Sequence, residues 1–239
     1  MDIHLLLAST STVHGSPYLA YIEDEIQHFF QGKNDLVFIP YARPGGATYD
    51  EYTKAAKKVF EKLGFNLRGI HEWDDPKDAI NEAEGFFTGG GNTFVLLKTL
   101  IDKDLIDPLR SAIINGIPYM GTSAGSNIAG QTISTTNDMP IVYPDSFDAL
   151  GLVPFNINPH YLDPDPSSKH MGETRETRIK EFHHFNDRAV LGLREGTALE
   201  INGDALKVIG EHSIRVFEAG KSPIELSDIN ELKKHVFSN

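Results

Sequence analysis

Residues 117–125 read Ile117-Pro118-Tyr119-Met120-Gly121-Thr122-Ser123-Ala124-Gly125. The apolar run from Ile117 to Met120 predicts a buried strand, and the Gly-x-Ser-x-Gly after it predicts an abrupt turn into a helix. In such a turn the small neighbours let other backbone approach, and the central serine is strained and lifted above the sheet. Ser123 is therefore a candidate nucleophile, and the Ala124 amide a candidate donor to an oxyanion. The alternative is a small-residue turn without catalysis.

A second glycine-rich segment, Gly89-Gly90-Gly91-Asn92-Thr93, follows a predicted strand over 85–88 and precedes a helix that Asn92 can cap. Glycine amides at a helix N-terminus bind anions. The segment is not a dinucleotide fingerprint, because Phe94 stands where the third glycine belongs, and it lacks the Gly-Lys-Ser/Thr of a phosphate-binding loop. It is either a tight loop without a ligand or, beside Ser123, the second half of an oxyanion hole.

The order of apolar runs and helical patterns predicts the fold class. Short apolar runs at 5–8, 36–39, 85–88 and 117–120 alternate with helical patterns such as 18–30 and 49–63. This alternation predicts an α/β fold with a mostly parallel central sheet flanked by helices on both faces. Loops are predicted to dominate 131–180, and turn residues after Ala189 predict a short antiparallel meander at the sheet edge. No repeat or linker interrupts the chain, so we expect a single domain over 1–239.

Composition excludes several classes of function. Lys and Arg number 22 against 34 Asp and Glu, a net charge of −12, which argues against nucleic acid as a partner. The chain has no cysteine, so thiolate nucleophiles, disulfides and Fe–S clusters are excluded. The first residues lack a signal-peptide pattern, and no run of about 20 apolar residues could span a membrane. We expect a soluble, cytoplasmic protein.

A serine nucleophile needs a base and an acid that orients the base. Among ten histidines, His160 stands out in a loop stiffened by Pro159, while His14 and the pair His183-His184 are weaker candidates. Glu195 and Asp138 both occupy turn-like settings, and residue chemistry alone leaves the choice between them open.

Metal ligation is not predicted. No His-Glu-x-x-His is present, and Asp163-Pro164-Asp165 is typical of a turn, so neither a metal nor a cofactor is expected. Arg175 and Arg178, spaced to share one side of a helical turn, form either a carboxylate clamp or a solvated helix start.

Several longer segments together resemble peptidase E, the α-aspartyl dipeptidase family of serine peptidases. The resemblance extends from Leu5 to about Pro223 and rests on residues 89–94, 123–125, 135–142, 158–160 and 172–176. It implies a fold related to class I glutamine amidotransferases, with serine in place of the cysteine nucleophile. It also implies Ser123 as nucleophile, His160 as base, Glu195 as orienting acid, and Gly91 and Ala124 as oxyanion-hole amides.

The resemblance further implies hydrolysis of dipeptides with an N-terminal aspartate, without a metal. We assign Arg175, ahead of Arg178, to the aspartate side chain, and Asp138 to the substrate-binding residues. The expected partner is a small Asp-X peptide, and the enzyme is expected to be a monomer or homodimer. Two alternatives are a cyanophycinase-like hydrolase of an aspartate-based polymer and a non-catalytic amidotransferase-like binding protein.

Overall fold

The computed structural model describes residues 3–165, 167, 169 and 171–226. The strands are β1 (His4–Ala8), β2 (Asp35–Ile39), β3 (Asn66–Gly69), β4 (Gly85–Thr88), β5 (Tyr119–Thr122), β6 (Asn156–Pro159), β7 (Val190–Leu193), β8 (Ala198–Asn202), β9 (Ala205–Ile209), β10 (Ile214–Phe217) and β11 (Ile224–Leu226). The helices are α1 (Glu23–Phe29), α2 (Tyr49–Lys62), α3 (Pro76–Glu82), α4 (Thr93–Asp102), α5 (Ile106–Ile114), α6 (Ala124–Asn127) and α7 (Arg175–Phe182).

The larger sheet has the strand order β3-β2-β4-β5-β1-β8-β9. Its first five strands in that order are parallel, and β8 and β9 join antiparallel at the β1 edge. The mostly parallel sheet predicted from the sequence is thus confirmed. Because β4, β5 and β1 are neighbours and parallel, the loops after them meet at one edge of the sheet.

Helices cover both faces of this sheet, as predicted. In β1, Leu5 and Leu7 belong to a core that contains buried residues of α3, α4 and α5, while Leu6 and Ala8 belong to a core shared with α1 and α2. This alternation follows from the two-residue period of a strand. A strand that is apolar on both faces is therefore buried between two helical layers.

Helix boundaries follow local signals. The Thr48 hydroxyl accepts a hydrogen bond from the Glu51 amide, and the Glu51 carboxylate accepts one from the Thr48 amide, which forms a capping box at the start of α2. Gly64, with φ of 91°, ends the same helix at the predicted position. The helix predicted over 18–30 is shorter, because a 3₁₀ turn (Ala20–Ile22) precedes α1.

A second sheet, with the order β11-β10-β7-β6, was not predicted. Strand β6 and helix α7 lie within 131–180, where loops were expected to dominate. The predicted meander is divided: β8 and β9 close the larger sheet, whereas β7, β10 and β11 pair in the smaller one. Helix α7 ends at Phe182, so His183 and His184 lie just beyond it.

Both sheets contribute to one core. The cluster that contains Leu5 and Leu7 of the larger sheet also contains Ile157, Leu191 and Val216 of the smaller one. This sharing favours the single domain predicted over 1–239, which stays a prediction. Within the described residues, no helix is both long and apolar enough to cross a membrane.

Candidate active site

Ser123 lies at the turn between β5 and α6, as the sequence predicts. Its backbone has φ of 53° and ψ of −110°, a strained conformation for a residue other than glycine. The turn is held by backbone hydrogen bonds from Ser123 N to Ala8 O at 3.1 Å and from Asn127 N to Ser123 O at 2.9 Å. The strain is thus imposed by β1 on one side and α6 on the other.

The glycines of the Gly-x-Ser-x-Gly are required by close backbone packing. A Cβ on Gly121 would collide with the backbone of Gly125, and a Cβ on Gly125 would collide with the Thr88 carbonyl at the end of β4. Any side chain at these positions would push the turn away from the sheet. The small residues therefore set the height of Ser123 above the strand ends.

A chain of hydrogen bonds joins Ser123, His160 and Glu195. His160 Nε2 lies 3.0 Å from Ser123 Oγ, and His160 Nδ1 lies 2.7 Å from Glu195 Oε1. The imidazole and the carboxylate are 37% and 48% exposed, so water competes for their contact. Two elements of the smaller sheet supply this half of the site, because His160 directly follows β6 and Glu195 lies two residues after β7.

The backbone of His160 is held by Ser9, a residue that sequence reasoning did not select. His160 has φ of 52°, and its amide donates to Ser9 Oγ at 2.9 Å. The Ser9 hydroxyl donates to Leu193 O at 2.8 Å, and Ser9 is fully buried. A lone serine at the end of β1 gives no local signal of this role, because both partners are more than 150 residues away.

Asparagines clamp β6 to its surroundings. The Asn127 side chain on α6 donates to Ile157 O at 2.6 Å, and the Asn137 side chain donates to Pro159 O at 2.6 Å. Asn158 Nδ2 donates to Thr135 O at 2.8 Å. These contacts connect the serine turn and the 135–137 segment to the strand that carries His160.

The glycine-rich segment lies beside the serine turn. A Cβ on Gly90 would lie 3.0 Å from the Ser123 Cβ and 3.7 Å from its Oγ. Gly91 has φ of 146°, and a Cβ there would collide with the Ala42 carbonyl oxygen. No described residue accepts a hydrogen bond from the Gly91 amide, and the Ala124 amide lies in the first turn of α6, where amides have no intrahelical partner. The amides of Gly91 and Ala124 thus lie on either side of the serine, and neither is used by the hydrogen bonds of the strands or helices.

Asp138 is bonded elsewhere than to the imidazole. Its Oδ2 accepts hydrogen bonds from the amide and hydroxyl of Thr93, both at 2.7 Å, and from the Thr136 hydroxyl at 3.1 Å. A carboxylate is favourable at that position, because Thr93 is the first residue of α4 and the helix dipole is positive there. Of the two acids left open by residue chemistry, the structure brings Glu195 to His160.

The other candidate bases form no hydrogen bond with Ser123 in the part of the chain that the structure describes. His183 Nε2 contacts the Arg188 carbonyl oxygen at 2.9 Å, beyond the end of α7. Within the described part of the chain, neither His14 nor His184 forms a hydrogen bond with Ser123. His160 is the histidine that the fold presents to the serine.

Arg175 begins α7 at the wall of a cavity of about 360 Å³. The cavity is lined by residues 162–165, 172–175 and 178. Burial, and after it the neighbouring charge of Arg178, lowers the pKa of Arg175, while the charge of Asp138 opposes this shift. No described carboxylate forms an ion pair with Arg175, whereas Arg178 Nε lies 4.0 Å from Glu173 Oε2. Arg175 is thus a half-buried cation available to an anionic ligand.

Comparison with known protein families shows which family the chain belongs to. The model of peptidase family S51 matches residues 5–209. The chain belongs to peptidase family S51. The predicted family and the predicted enzyme class, a peptidase, are thereby confirmed.

Two curated relatives match nearly the whole chain. Peptidase E of Streptomyces coelicolor is 48% identical over 233 residues, covering 96% of this chain and 95% of that protein. A probable alpha-aspartyl dipeptidase of Drosophila melanogaster is 44% identical over 232 residues, with the same coverage of both proteins. Family S51 thus extends over the strands that carry Ser123, His160 and Glu195.

Solved structures show the same fold. A putative peptidase E protein from Listeria monocytogenes superposes with a TM-score of 0.67 at 23% identity, covering 87% of this chain and 98% of that one. A peptidase from an acI-B1 Actinobacterium also gives a TM-score of 0.67, at 18% identity and with 95% and 98% coverage.

Proposed function

We propose that this peptidase is a serine dipeptidase that hydrolyses dipeptides with an N-terminal aspartate. The observation that carries the proposal is the hydrogen-bonded series from Ser123 through His160 to Glu195 at a strained strand-to-helix turn. The names of the relatives, peptidase E and probable alpha-aspartyl dipeptidase, support the same substrate class.

In the first half of the reaction Ser123 Oγ attacks the scissile carbonyl carbon, and His160 Nε2 takes the hydroxyl proton. Glu195 accepts the Nδ1–H hydrogen bond, so it fixes the tautomer and stabilises the imidazolium that forms. The carbonyl oxygen becomes an oxyanion that the amides of Gly91 and Ala124 bind. Preorganised donors of this kind stabilise the transition state without reorganising during the reaction.

In the second half the intermediate collapses and water regenerates the enzyme. His160 gives its proton to the leaving amine, which departs with the residue after aspartate and leaves an aspartyl ester on Ser123. His160 then removes a proton from water, whose oxygen attacks the ester carbonyl carbon; as the bond from that carbon to Ser123 Oγ breaks, His160 returns the proton to Oγ. Free aspartate and the free serine hydroxyl are the products.

Specificity for aspartate requires a cation for its side-chain carboxylate, and we assign this role to Arg175. A guanidinium presents a planar fork that fits a carboxylate through two hydrogen bonds. Arg175 is half-buried and not paired with any described carboxylate, while Arg178 is exposed and lies near Glu173. Asp138, whose negative charge favours a higher pKa for Arg175, is assigned to the substrate-binding residues.

The location, oligomeric state and partner of the enzyme are part of this proposal. We place it in the cytoplasm as a monomer or homodimer that does not bind nucleic acid, in keeping with the net charge of −12. Its partner is a small peptide.

Release of free aspartate from Asp-Leu tests the proposal, with Ser123→Ala beside the wild type and Leu-Leu and isoaspartyl-Leu as control substrates. We expect turnover of Asp-Leu only, reduced by about 10⁶-fold when the nucleophile is removed. Turnover that persists in Ser123→Ala contradicts the assigned nucleophile. If no dipeptide is hydrolysed, the same preparation should be offered an aspartate-based polymer, whose cleavage would replace the dipeptidase proposal.

A further inference from the structure

An arginine and an aspartate form a two-pronged ion pair close to the His160–Glu195 contact. Arg194 Nε donates to Asp163 Oδ2 at 2.8 Å, and Arg194 Nη2 donates to Asp163 Oδ1 at 2.7 Å. The Arg194 side chain is only 16% exposed. A bidentate, partly buried pair of this geometry is among the stronger ion pairs in proteins.

The position of this pair in the chain links it to the proposed triad. Arg194 immediately precedes Glu195, and Asp163 lies three residues after His160. Between the two ion pairs, the Tyr161 amide donates to the Leu193 carbonyl at 2.9 Å. The segment 160–163 is therefore tied to the segment 193–195 by two side-chain pairs and one backbone hydrogen bond.

The contact between His160 and Glu195 needs outside support. Both side chains are more than a third exposed, so water competes with their hydrogen bond. His160 also has φ of 52°, which is unfavourable for a residue other than glycine and persists only when the surroundings impose it. Ser9 and Leu193 hold the His160 and Tyr161 amides, but neither holds the chain beyond Tyr161.

We propose that the Arg194–Asp163 ion pair is a positioning device that keeps His160 and Glu195 in register for proton transfer. The proposal rests on the proposed function of the triad and adds two positioning residues to it. By closing the 160–163 segment onto the end of β7, the ion pair prevents His160 from relaxing out of its strained conformation. Its loss would leave the triad residues present but misaligned.

The same arginine offers a matched control on its other side. Arg194 Nη2 also donates to Glu225 Oε1 at 2.8 Å and Nη1 to Glu225 Oε2 at 2.9 Å, which ties Arg194 to β11. Among the described residues, Glu225 forms no hydrogen bond or ion pair with the 160–163 segment; its partners are Arg194, Ser213 and Arg215. Glu225→Gln thus weakens the same charged network without releasing Asp163, whereas Asp163→Asn releases the segment that carries His160.

The experiment measures kcat and KM on Asp-Leu, and the melting temperature, for wild type, Asp163→Asn and Glu225→Gln. We expect kcat of Asp163→Asn to fall at least about tenfold, because small displacements of a catalytic group are costly, with KM within about twofold. We expect Glu225→Gln to have a lower melting temperature than wild type but to keep its kcat. The proposal is overturned if both variants lose kcat equally or if neither variant loses it. A rise in KM without a fall in kcat in Asp163→Asn also overturns it and makes Asp163, which lines the cavity beside Arg175, a substrate-binding residue instead.

A second readout separates this proposal from the substrate assignment. A fluorophosphonate forms a bond from Ser123 Oγ to phosphorus and releases fluoride, and the serine proton passes to His160, so labelling needs the triad but not an Asp-X peptide. Labelling of folded Asp163→Asn should be at least about tenfold slower than labelling of Glu225→Gln. Arg194→Lys, which keeps the charge but loses the fork, should be slow as well, and wild-type rates in it overturn the proposal. If wild type is labelled but does not hydrolyse Asp-Leu, the dipeptidase proposal fails while the labelling rates still decide this one.

Discussion

Ser9 bridges His160 to the strand that precedes Glu195. Its hydroxyl accepts the His160 amide hydrogen bond at 2.9 Å and donates to the Leu193 carbonyl at 2.8 Å. Ser9 directly follows β1, the strand beside β5, which ends at the serine turn. One buried hydroxyl therefore connects the half of the site built on the larger sheet with the half built on the smaller sheet.

Ser9→Ala should reduce both stability and turnover. The variant leaves the His160 amide without its hydrogen-bond acceptor, whereas the Leu193 carbonyl keeps the Tyr161 amide; the cost is about 1–3 kcal/mol in the free energy of unfolding. Because His160 is no longer held, kcat on Asp-Leu should fall by about 10- to 100-fold with little change in KM. Steady-state kinetics and denaturant unfolding measure the two effects.

Thr99→Val is the control for Ser9→Ala, since it removes a partly buried hydroxyl that donates to Val95 O within α4. It should cost stability and keep kcat. If Ser9→Ala also keeps kcat, Ser9 holds the fold and not the geometry of His160.

Glu195→Gln and Asp138→Asn should separate the two acids that sequence reasoning left open. Glu195 lies 2.7 Å from His160 Nδ1, whereas Asp138 bonds to Thr93 at the start of α4. Removing the orienting carboxylate of a serine triad lowers kcat by roughly 10⁴-fold, so we expect a loss of that order in Glu195→Gln. Asp138→Asn should raise KM and cost about 1 kcal/mol of stability, the usual size of a helix-dipole interaction. A larger loss of kcat in Asp138→Asn would reverse the assignment.

The parts of the fold that sequence predicted are those with local signals. The helix stop at Gly64 and the cap at Asn92 each depend on residues within a few positions. The serine turn also has a local signal, because its Gly-x-Ser-x-Gly directly follows the apolar run that forms β5. Because such features depend on residues close together in the sequence, they can be predicted from it, and the structure contains them.

The parts that sequence did not predict depend on contacts between distant residues. The smaller sheet consists of strands of three or four residues, too short for a clear period, and its pairing joins β6 to β7 across helix α7. The choice of Glu195 over Asp138 rested on resemblance, because only the fold brings one of 34 acidic residues to His160. Ser9 was missed for the same reason.

Arg175→Met should change substrate preference as well as rate. Losing one partner of a buried charge pair costs about 2 kcal/mol or more, so kcat/KM on Asp-Leu should fall at least about 30-fold. Activity on Asn-Leu, which lacks the side-chain charge, should change far less. Arg178→Met is the matched control at an exposed position of the same helix and should leave the preference intact. Equal losses on Asp-Leu and Asn-Leu would contradict the assignment of Arg175 to the aspartate carboxylate.

Gly91→Ala should damage the proposed oxyanion hole. The new Cβ would collide with the Ala42 carbonyl, and φ of 146° is unfavourable for alanine, so the Gly91 amide must move. Loss of one oxyanion donor lowers kcat by about 10²–10³-fold. Gly64→Ala is the control, because it also has positive φ but no atom within 4 Å of the added Cβ, and it lies at the end of α2. It should lose stability and keep kcat; an unchanged kcat in Gly91→Ala would remove Gly91 from the mechanism.

Glu225 should make stability dependent on acid pH. Burial alone would raise its pKa, but hydrogen bonds from Arg194, Ser213 and Arg215 lower it from 4.5 to about 2. A carboxyl whose pKa is lower in the folded state contributes stability that is complete above its unfolded pKa and is lost as pH falls through the folded value. The difference in melting temperature between wild type and Glu225→Gln should therefore be full at pH 5–7, begin to shrink below about pH 4.5 and vanish near pH 2. Glu61→Gln, which removes a loose pair 3.9 Å from Lys57, should show little difference at neutral pH. A gap between wild type and Glu225→Gln that stays constant down to pH 2 would show that the charge of Glu225 does not stabilise the network.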